Sequence, residues 1–318
     1  MPRVAAPPPA APSPPPVSAA TAQLRVAVLA WYATRGRDLA FRATTDPYAI
    51  LVSEAMAQQT QAARAAEYWT RFLIQFPTLE ALATATPAAV LRAWRGLGYN
   101  RRALALRKAA IAIAAQHDGR VPDDLEALRR LPGVGPYTAR AVAALAFGRR
   151  VGAVDVNVRR VLSRAIGGSL DAFGAAELQT IADASVPSEA PGLWTHALMD
   201  IGATFCKPRA PRCGGCPAAP WCRYAQASDW DGAADGDVDA AVRVVRDRPA
   251  RFETTSRWLR GRLLDLLRDA LDETWAAIPT SVGRHDAESI AVALDGLVRD
   301  GLAERHPADR RRARLPIA

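Results

Sequence analysis

The chain has 318 residues, enough for two domains that each bury a core of their own. Half of its composition is hydrophobic and 23% is charged, which excludes a wholly disordered chain, and no apolar run nears the roughly 20 residues that cross a bilayer. The net charge of +9, with Arg far outnumbering Lys, favours a polyanion as partner, nucleic acid first. A high-GC genome that exchanges Lys for Arg gives the same imbalance, so charge alone does not decide.

The first sixteen residues hold eight prolines and have neither an apolar stretch nor a basic leader, so residues 1–20 read as a disordered tail and not as a signal peptide. From about Ala22 to Arg223 the pattern is helical, with apolar positions three and four apart broken by Pro and Gly. Asp46-Pro47 predicts a capped helix start with proline at the first position, and the helix runs through Ile50, Leu51 and Met56. Glu54 lies on it within ILVSEAMA, where apolar neighbours predict its partial burial. Thr60 is a candidate cap for a helix over Ala62 to Phe76, and Thr86-Pro87 opens another that stops near Gly96 and Gly98.

Leu131-Pro132-Gly133-Val134-Gly135 separates a helix ending at Arg129-Arg130 from one beginning near Tyr137-Thr138. Two glycines around one small apolar residue allow positive φ and close backbone approach, so the amides of the turn can face a phosphate. Such a contact holds DNA without reading its sequence. Taken alone, the same turn also serves as a plain helix connection.

All four cysteines, Cys206, Cys213, Cys216 and Cys222, fall in one C-x6-C-x2-C-x5-C run. In a reducing compartment that clustering predicts metal ligation before disulfides. One iron-sulfur cubane or one zinc would use four thiolates, and the single C-x2-C knuckle is one short of the usual zinc pair. Asp229, Asp231, Asp235, Asp237 and Asp239 among Gly and Ala predict a solvated linker and a boundary near 225. Beyond it an amphipathic helix (Trp258 to Leu271), a second helix (Ala287 to Asp300), the segment Gly301-Leu302-Ala303-Glu304 and the basic run Arg310 to Arg314 fit a winged helix, or a small helical appendage with a solvated basic tail.

LPGVGPYTARAV, positions 131 to 142, resembles the hairpin of the helix-hairpin-helix DNA glycosylase superfamily. Val154-Asp155-Val156-Asn157-Val158-Arg159-Arg160-Val161 is similar to that family's aspartate segment. Ser53-Glu54-Ala55-Met56-Ala57-Gln58-Gln59-Thr60-Gln61 and Gly96-Leu97-Gly98-Tyr99 are similar to signatures of its MutY branch. With the cysteines, these matches span the family's motifs in order.

The resemblance implies an all-α fold: two helical subdomains with a catalytic cleft between them, an iron-sulfur loop and a small winged-helix-like C-terminal domain. The boundaries expected are a tail at 1–20 and a glycosylase domain at 21–223, followed by a linker at 224–250 and the small domain at 251–318. Within the glycosylase domain, a six-helix part covers about 44–150, 21–43 joins 151–205, and 206–222 is the cluster loop. It further implies a cytoplasmic, nucleoid-associated bacterial monomer that excises adenine paired with 8-oxoguanine or guanine in duplex DNA.

By the same resemblance Glu54 protonates the leaving adenine and Asp155 faces the sugar cation, with Tyr137 and Asn157 assisting. Gln58 lines the base pocket, and Gln59, Leu97 and Tyr99 meet the opened duplex. Gly133, Val134 and Gly135 grip phosphate, as Lys207, Arg209 and Arg212 would near the four ligands of a [4Fe-4S] cluster. Tyr137 stands where lyase-capable relatives similar to endonuclease III carry a nucleophilic lysine, so hydrolysis without strand cleavage is expected.

Phe41 replaces a tryptophan usual in the branch and Val156 a glycine. Residues 225–318 are too short and too helical for the nucleotide-pyrophosphatase-like module that reads 8-oxoguanine in long relatives. A T:G mismatch thymine glycosylase, an oxidised-pyrimidine glycosylase/lyase and a non-catalytic DNA-binding iron-sulfur regulator are the competing readings. Gln58-Gln59, Tyr137 and the intact pair of carboxylates respectively oppose them.

Overall fold

A computed structural model describes residues 18–227 and 251–317, apart from 272. Most of the expected Pro-rich tail and of the expected acidic linker lies outside the described residues. Helices dominate, in the order α1 (Ala19–Arg35), α2 (Pro47–Ala57), α3 (Ala62–Gln75), α4 (Leu79–Thr84), α5 (Pro87–Ala93), α6 (Arg101–Gln116), α7 (Leu125–Arg130) and α8 (Pro136–Phe147). There follow α9 (Val156–Leu162), α10 (Ala175–Ser185), α11 (Pro191–Thr204), α12 (Arg223–Gln226), α13 (Ser256–Asp269) and α14 (Ala287–Arg299). The all-α expectation for the main body holds. Short strands β1 (Ala276–Ala277), β2 (Glu304–Arg305) and β3 (Arg312–Arg314) lie near the C-terminus.

The chain divides into two compact units, Met1–Arg37 with Gly148–Gly236 and Asp38–Phe147 with Asp237–Ala318. In the first, α1, α9, α10 and α11 close around Leu24, Val28, Val158, Leu162, Leu178, Trp194, Leu198 and Ile201. The wholly buried Asp200 accepts the Arg37 N–H at 2.8 Å and the Arg37 Nε at 2.6 Å, so this charge is both paired and hydrogen-bonded. Ser18 caps α1 by accepting from Thr21 N, which starts that helix inside the expected tail.

In the second unit α2 runs at the centre, packed on α3, α6 and α8. Eight of its eleven residues are buried, as expected for a helix that is apolar on every side. Asp46 caps it by accepting from Tyr48 N and Ala49 N, and Pro47 occupies its first turn. Two expectations need correction. Thr60 does not cap α3: the N-cap is Gln61, without a side-chain bond, and the Thr60 hydroxyl donates to the Gln58 carbonyl. The part expected to hold six helices, about 44–150, holds seven, α2 to α8, since Thr78 caps the short α4 by accepting from Ala81 N.

The C-terminal residues form a helix pair against a three-stranded antiparallel sheet in the order β1-β3-β2. Leu259, Leu263, Leu264 and Leu267 on α13 and Ile290, Leu294 and Leu297 on α14 are buried at helical spacing. The basic run supplies the central strand, with Ala313 wholly buried and Arg314 bonded across to Glu304 at 2.8 Å. Arg268 fastens this part to the helical body. Its side chain is buried, its Nε donates to the Leu91 carbonyl at 2.9 Å and its Nη2 to Asn100 Oδ1 at 2.7 Å. Arg92 answers with bonds to the carbonyls of Arg268 and Ala270, and Arg95 pairs with Asp269 at 2.6 Å.

Replacing Arg268 strands a backbone carbonyl and an amide oxygen in a buried place. Arg268→Ala is therefore expected to lower stability by about 2–4 kcal/mol. The urea midpoint measures this, and an unchanged midpoint would show that the attachment is not held there.

Candidate active site and nucleic-acid interface

Glu54 is buried, 8% exposed, between Val52 and Met56. The end of its helix is held from outside. Arg102 on α6 directs Nη1 at the carbonyls of Ala55 (2.9 Å), Met56 (3.2 Å) and Gln58, so one guanidinium satisfies the last turn of α2. Burial pushes the Arg102 pKa below the usual arginine value. Gln58, the residue at which α2 ends, donates to Thr138 Oγ1 on α8 at 3.3 Å. The next residue, Gln59, leaves with φ +55° and is exposed.

The hairpin forms between α7 and α8. Leu131 is buried, its carbonyl accepts the Val134 N–H at 3.1 Å, and Gly133 adopts φ +79°. A Cβ at Gly133 would stand 2.8 Å from the Ala105 Cβ, so both the backbone angle and the close approach to α6 call for glycine there. A Cβ at Gly135 would meet nothing within 4 Å. Gly133 and Gly135 are exposed, while the Val134 side chain is buried and its N–H closes the turn. Pro136 opens α8, and the positive end of a helix dipole makes such a start suited to a phosphate oxygen. Tyr137 sits half-buried in that first turn.

A third feature is the turn after α5. Gly96 and Gly98 take φ +91° and +69°, and Tyr99 takes +47°. A Cβ at Gly96 would collide with the Tyr68 hydroxyl at 2.3 Å. Trp94 Nε1 donates to the Gly98 carbonyl at 3.1 Å and Arg64 Nη2 to that of Gly96 at 2.7 Å. Leu97 is buried, while Tyr99 is 45% exposed. Left-handed backbone at a non-glycine residue costs about 1–3 kcal/mol and persists where the surroundings impose it. Gln59 and Tyr99, which the motif resemblance assigns to the opened duplex, both carry it.

In the other unit Asp155 is the N-cap of α9. Its Oδ1 accepts from Asn157 N (2.9 Å) and Val158 N (2.7 Å), and its Oδ2 from Asn157 Nδ2 (2.9 Å). Capping and a role in chemistry are compatible, since the bonds fix the carboxylate in place. Asn157 Oδ1 in turn accepts from Arg160 Nη2 at 2.8 Å, and the buried Arg160 also donates to the carbonyls of Gly202 (2.7 Å) and Cys206. Gly202 on α11 has no room for a side chain: a Cβ there would be 2.5 Å from the Asn157 Cβ.

The four cysteines line one small apolar pocket with Val161, Arg164, Ile201, Phe205 and Tyr224. Among the described residues no three His, Cys, Asp or Glu are arranged to hold a single metal ion. Burial pushes the Cys216 thiol up to about 12 and raises that of Cys222, yet backbone N–H groups aim at both sulfurs: Ala218 at Cys216, Tyr224 and Ala225 at Cys222. Arg164 Nη1 reaches Cys206 Sγ at 3.5 Å. Donors converging on buried sulfurs fit thiolates that ligate a cluster. Lys207 is turned back to the Ala203 carbonyl, while Arg209 and Arg212 are exposed.

Arg102, Thr138, Arg160 and Gly202 were not singled out by sequence. In the sequence Arg160 is indistinguishable from its exposed neighbour Arg159, and only the helical face separates them.

A glycine-gated hairpin, an aspartate-capped helix behind it in the chain and a four-cysteine loop define a helix-hairpin-helix protein built to hold DNA. The profile described as HhH-GPD superfamily base excision DNA repair protein matches residues 52–172. An adenine DNA glycosylase of Mycolicibacterium smegmatis is 41% identical over 290 residues, covering 88% of this chain and 92% of that one. Among solved structures, a thermostable thymine-DNA glycosylase superposes with a TM-score of 0.61 at 31% identity, over 65% of this chain and 96% of its own. Endonuclease III trapped on DNA superposes with a TM-score of 0.55 at 25% identity, over 64% and 96%. The chain belongs to the MutY-type adenine DNA glycosylases of the HhH-GPD superfamily.

Gly202→Ala is expected to push Asn157 away and shift Asp155. Single-turnover base excision should slow by about 10–10²-fold with DNA affinity kept, the size of a small misplacement in a reacting group. Wild-type rates would separate Asn157 from the positioning of Asp155.

Proposed function

We propose that the protein is a monofunctional adenine glycosylase that hydrolyses the N-glycosidic bond of adenine paired with 8-oxoguanine or guanine in duplex DNA. The observation that carries this reading is Glu54, a carboxyl group buried on an otherwise apolar helix whose end turns out through Gln58 and Gln59. Adenine is a poor leaving group as an anion, so an acid must protonate it, and the deoxyribose left behind is cationic, so an anion must face it.

In the proposed reaction the target nucleotide is turned out of the duplex and each carboxyl group has its own task. Glu54 gives its proton to adenine as the bond from sugar to base breaks and the electron pair departs with the base. Asp155, fixed by its three N–H donors, stabilises the sugar cation. Water adds to the sugar carbon and its proton returns to Glu54. Extrusion precedes this, because neither group reaches a stacked base, and Gln59 and Tyr99 fill the gap.

Strand cleavage through a Schiff base needs an amine. The lysines of the chain are Lys108, on α6, and Lys207, whose ammonium is bonded to a backbone carbonyl. Tyr137 offers none. The four thiolates would hold a [4Fe-4S] cluster, which would close the 206–222 loop onto the α9 and α11 packing. Its ligand bonds would supply stability there.

Single-turnover excision on duplexes with A opposite 8-oxoguanine, A opposite G, T opposite G and an oxidised pyrimidine tests the reading. Release of base from the first two alone is expected; preference for T opposite G would favour a thymine glycosylase. Glu54→Gln and Asp155→Asn should each slow excision by about 10²–10⁴-fold while binding survives. Borohydride should trap no covalent adduct. Purified protein should contain iron and acid-labile sulfide in equal amounts, and stoichiometric zinc in their place would remove the cluster.

A further inference from the structure

Two guanidiniums lie against the Tyr99 ring. Arg102, from α6, is 5.3 Å from the ring centroid, and Arg257, from the first turn of α13 in the C-terminal part, is 5.0 Å from it. Neighbouring arginines on and beside α13 have carboxylate partners: Arg260 has Asp300, Arg262 and Arg268 share Asp265, and Arg95 meets Asp265 and Asp269. Among the described residues Arg102 and Arg257 have no carboxylate partner. Two like charges on one ring repel, and an anion arriving beside them relieves the repulsion. Arg257 is exposed, so an anion can reach it.

The attachment of α13 is rigid at this spot. Arg268 grips Asn100, the residue after Tyr99, and Trp94 and Arg64 hold the glycines before it. The C-terminal part is thus anchored on both the helix before the turn and the turn itself, and its Arg257 is delivered to the one exposed aromatic there.

We propose that Arg257 is a positioning residue of the DNA interface. It braces Tyr99 by a cation–π contact and neutralises the phosphate next to the base step that Tyr99 enters, which makes the C-terminal domain a working part of the DNA-binding surface. This rests on the reading of Tyr99 as a duplex-penetrating side chain.

The test is equilibrium binding of the full-length holoprotein to a duplex carrying an abasic-site analogue opposite guanine, over a salt series, beside single-turnover excision at saturating protein. Arg257→Ala is expected to weaken binding by about 5–20-fold and to make the plot of log affinity against log salt shallower by about 0.9, one phosphate contact. The loss of affinity should exceed any loss in the saturated excision rate, because Arg257 touches phosphate and Tyr99 and not the reacting atoms. Arg257→Lys should keep the salt slope and recover part of the affinity. Combining Arg257→Ala with Tyr99→Ala should lose less than the product of the single losses.

An unchanged salt slope in Arg257→Ala, or strictly multiplicative losses, overturns the proposal. Equal weakening by Arg257→Met and Arg257→Lys overturns it too, because charge would then be irrelevant. If Tyr99→Ala binds and excises as wild type, it is the penetrating role of Tyr99 that falls; if Tyr99→Ala weakens binding and Arg257→Ala does not, only the role of Arg257 falls.

Discussion

One guanidinium holds together the parts of the second unit that, in the proposed function, meet a nucleotide. Arg102 satisfies the carbonyls at the end of α2, reaches the Gly98 carbonyl at 3.4 Å and lies against the Tyr99 ring. A helix end buried without partners would cost free energy for each orphaned carbonyl, about 1–3 kcal/mol apiece. With those carbonyls bonded, α2 can stop one turn after Glu54 while still inside the protein, and the chain can leave through the strained Gln59. Burial of Glu54, the abrupt exit at Gln58 and the projection of Tyr99 are in this way one structural event.

The other unit repeats the logic with different residues. Arg160 is buried, bonded to Asn157, to the Gly202 carbonyl and to the Cys206 carbonyl, and Asn157 passes the constraint to Asp155. Asp155 is therefore oriented by a buried arginine at one remove. Arginine suits the task because its planar fork keeps several donors at fixed angles and stays charged when desolvated. The consequence for the cysteine loop is mechanical: the first cysteine contributes its backbone to the network that fixes Asp155, so loosening the loop loosens the carboxylate.

How much of this the sequence disclosed follows from the range of the forces involved. Local rules are written in adjacent residues, so the Asp46-Pro47 start and the Gly133 turn were legible, each with the expected geometry. Thr60 failed as a cap although its residue type allowed it, since the Gln58 carbonyl competed for its hydroxyl. The short strand β1 carries only two alanines and no alternation, and it exists because β3 offers it a partner. Leu97 and Val134 belong to motifs of the interface yet point inward, which a motif cannot express. Least legible were the half-buried Arg102 and the buried Arg160 and Arg268: arginines that bond backbone carbonyls look, in a basic chain, like surface cations awaiting phosphate.

The two departures from the family pattern are of different kinds. Phe41 stands in a 3-10 turn with its ring edge-on to Trp69, at 6.4 Å between centroids, and Trp69 Nε1 is bonded to the Ala49 carbonyl within α2. A change there is felt through packing against the helix that carries Glu54. Val156 is 73% exposed in the first turn of α9, so its bulk disturbs no core and alters only the surface immediately beside Asp155. A β-branched side chain in place of glycine also stiffens the backbone just after the cap, which narrows the orientations open to the carboxylate. The aspartate of this chain is held by its neighbour in sequence as well as by Asn157 and Arg160, and the burden that glycine leaves to tertiary contacts is here shared with the local backbone.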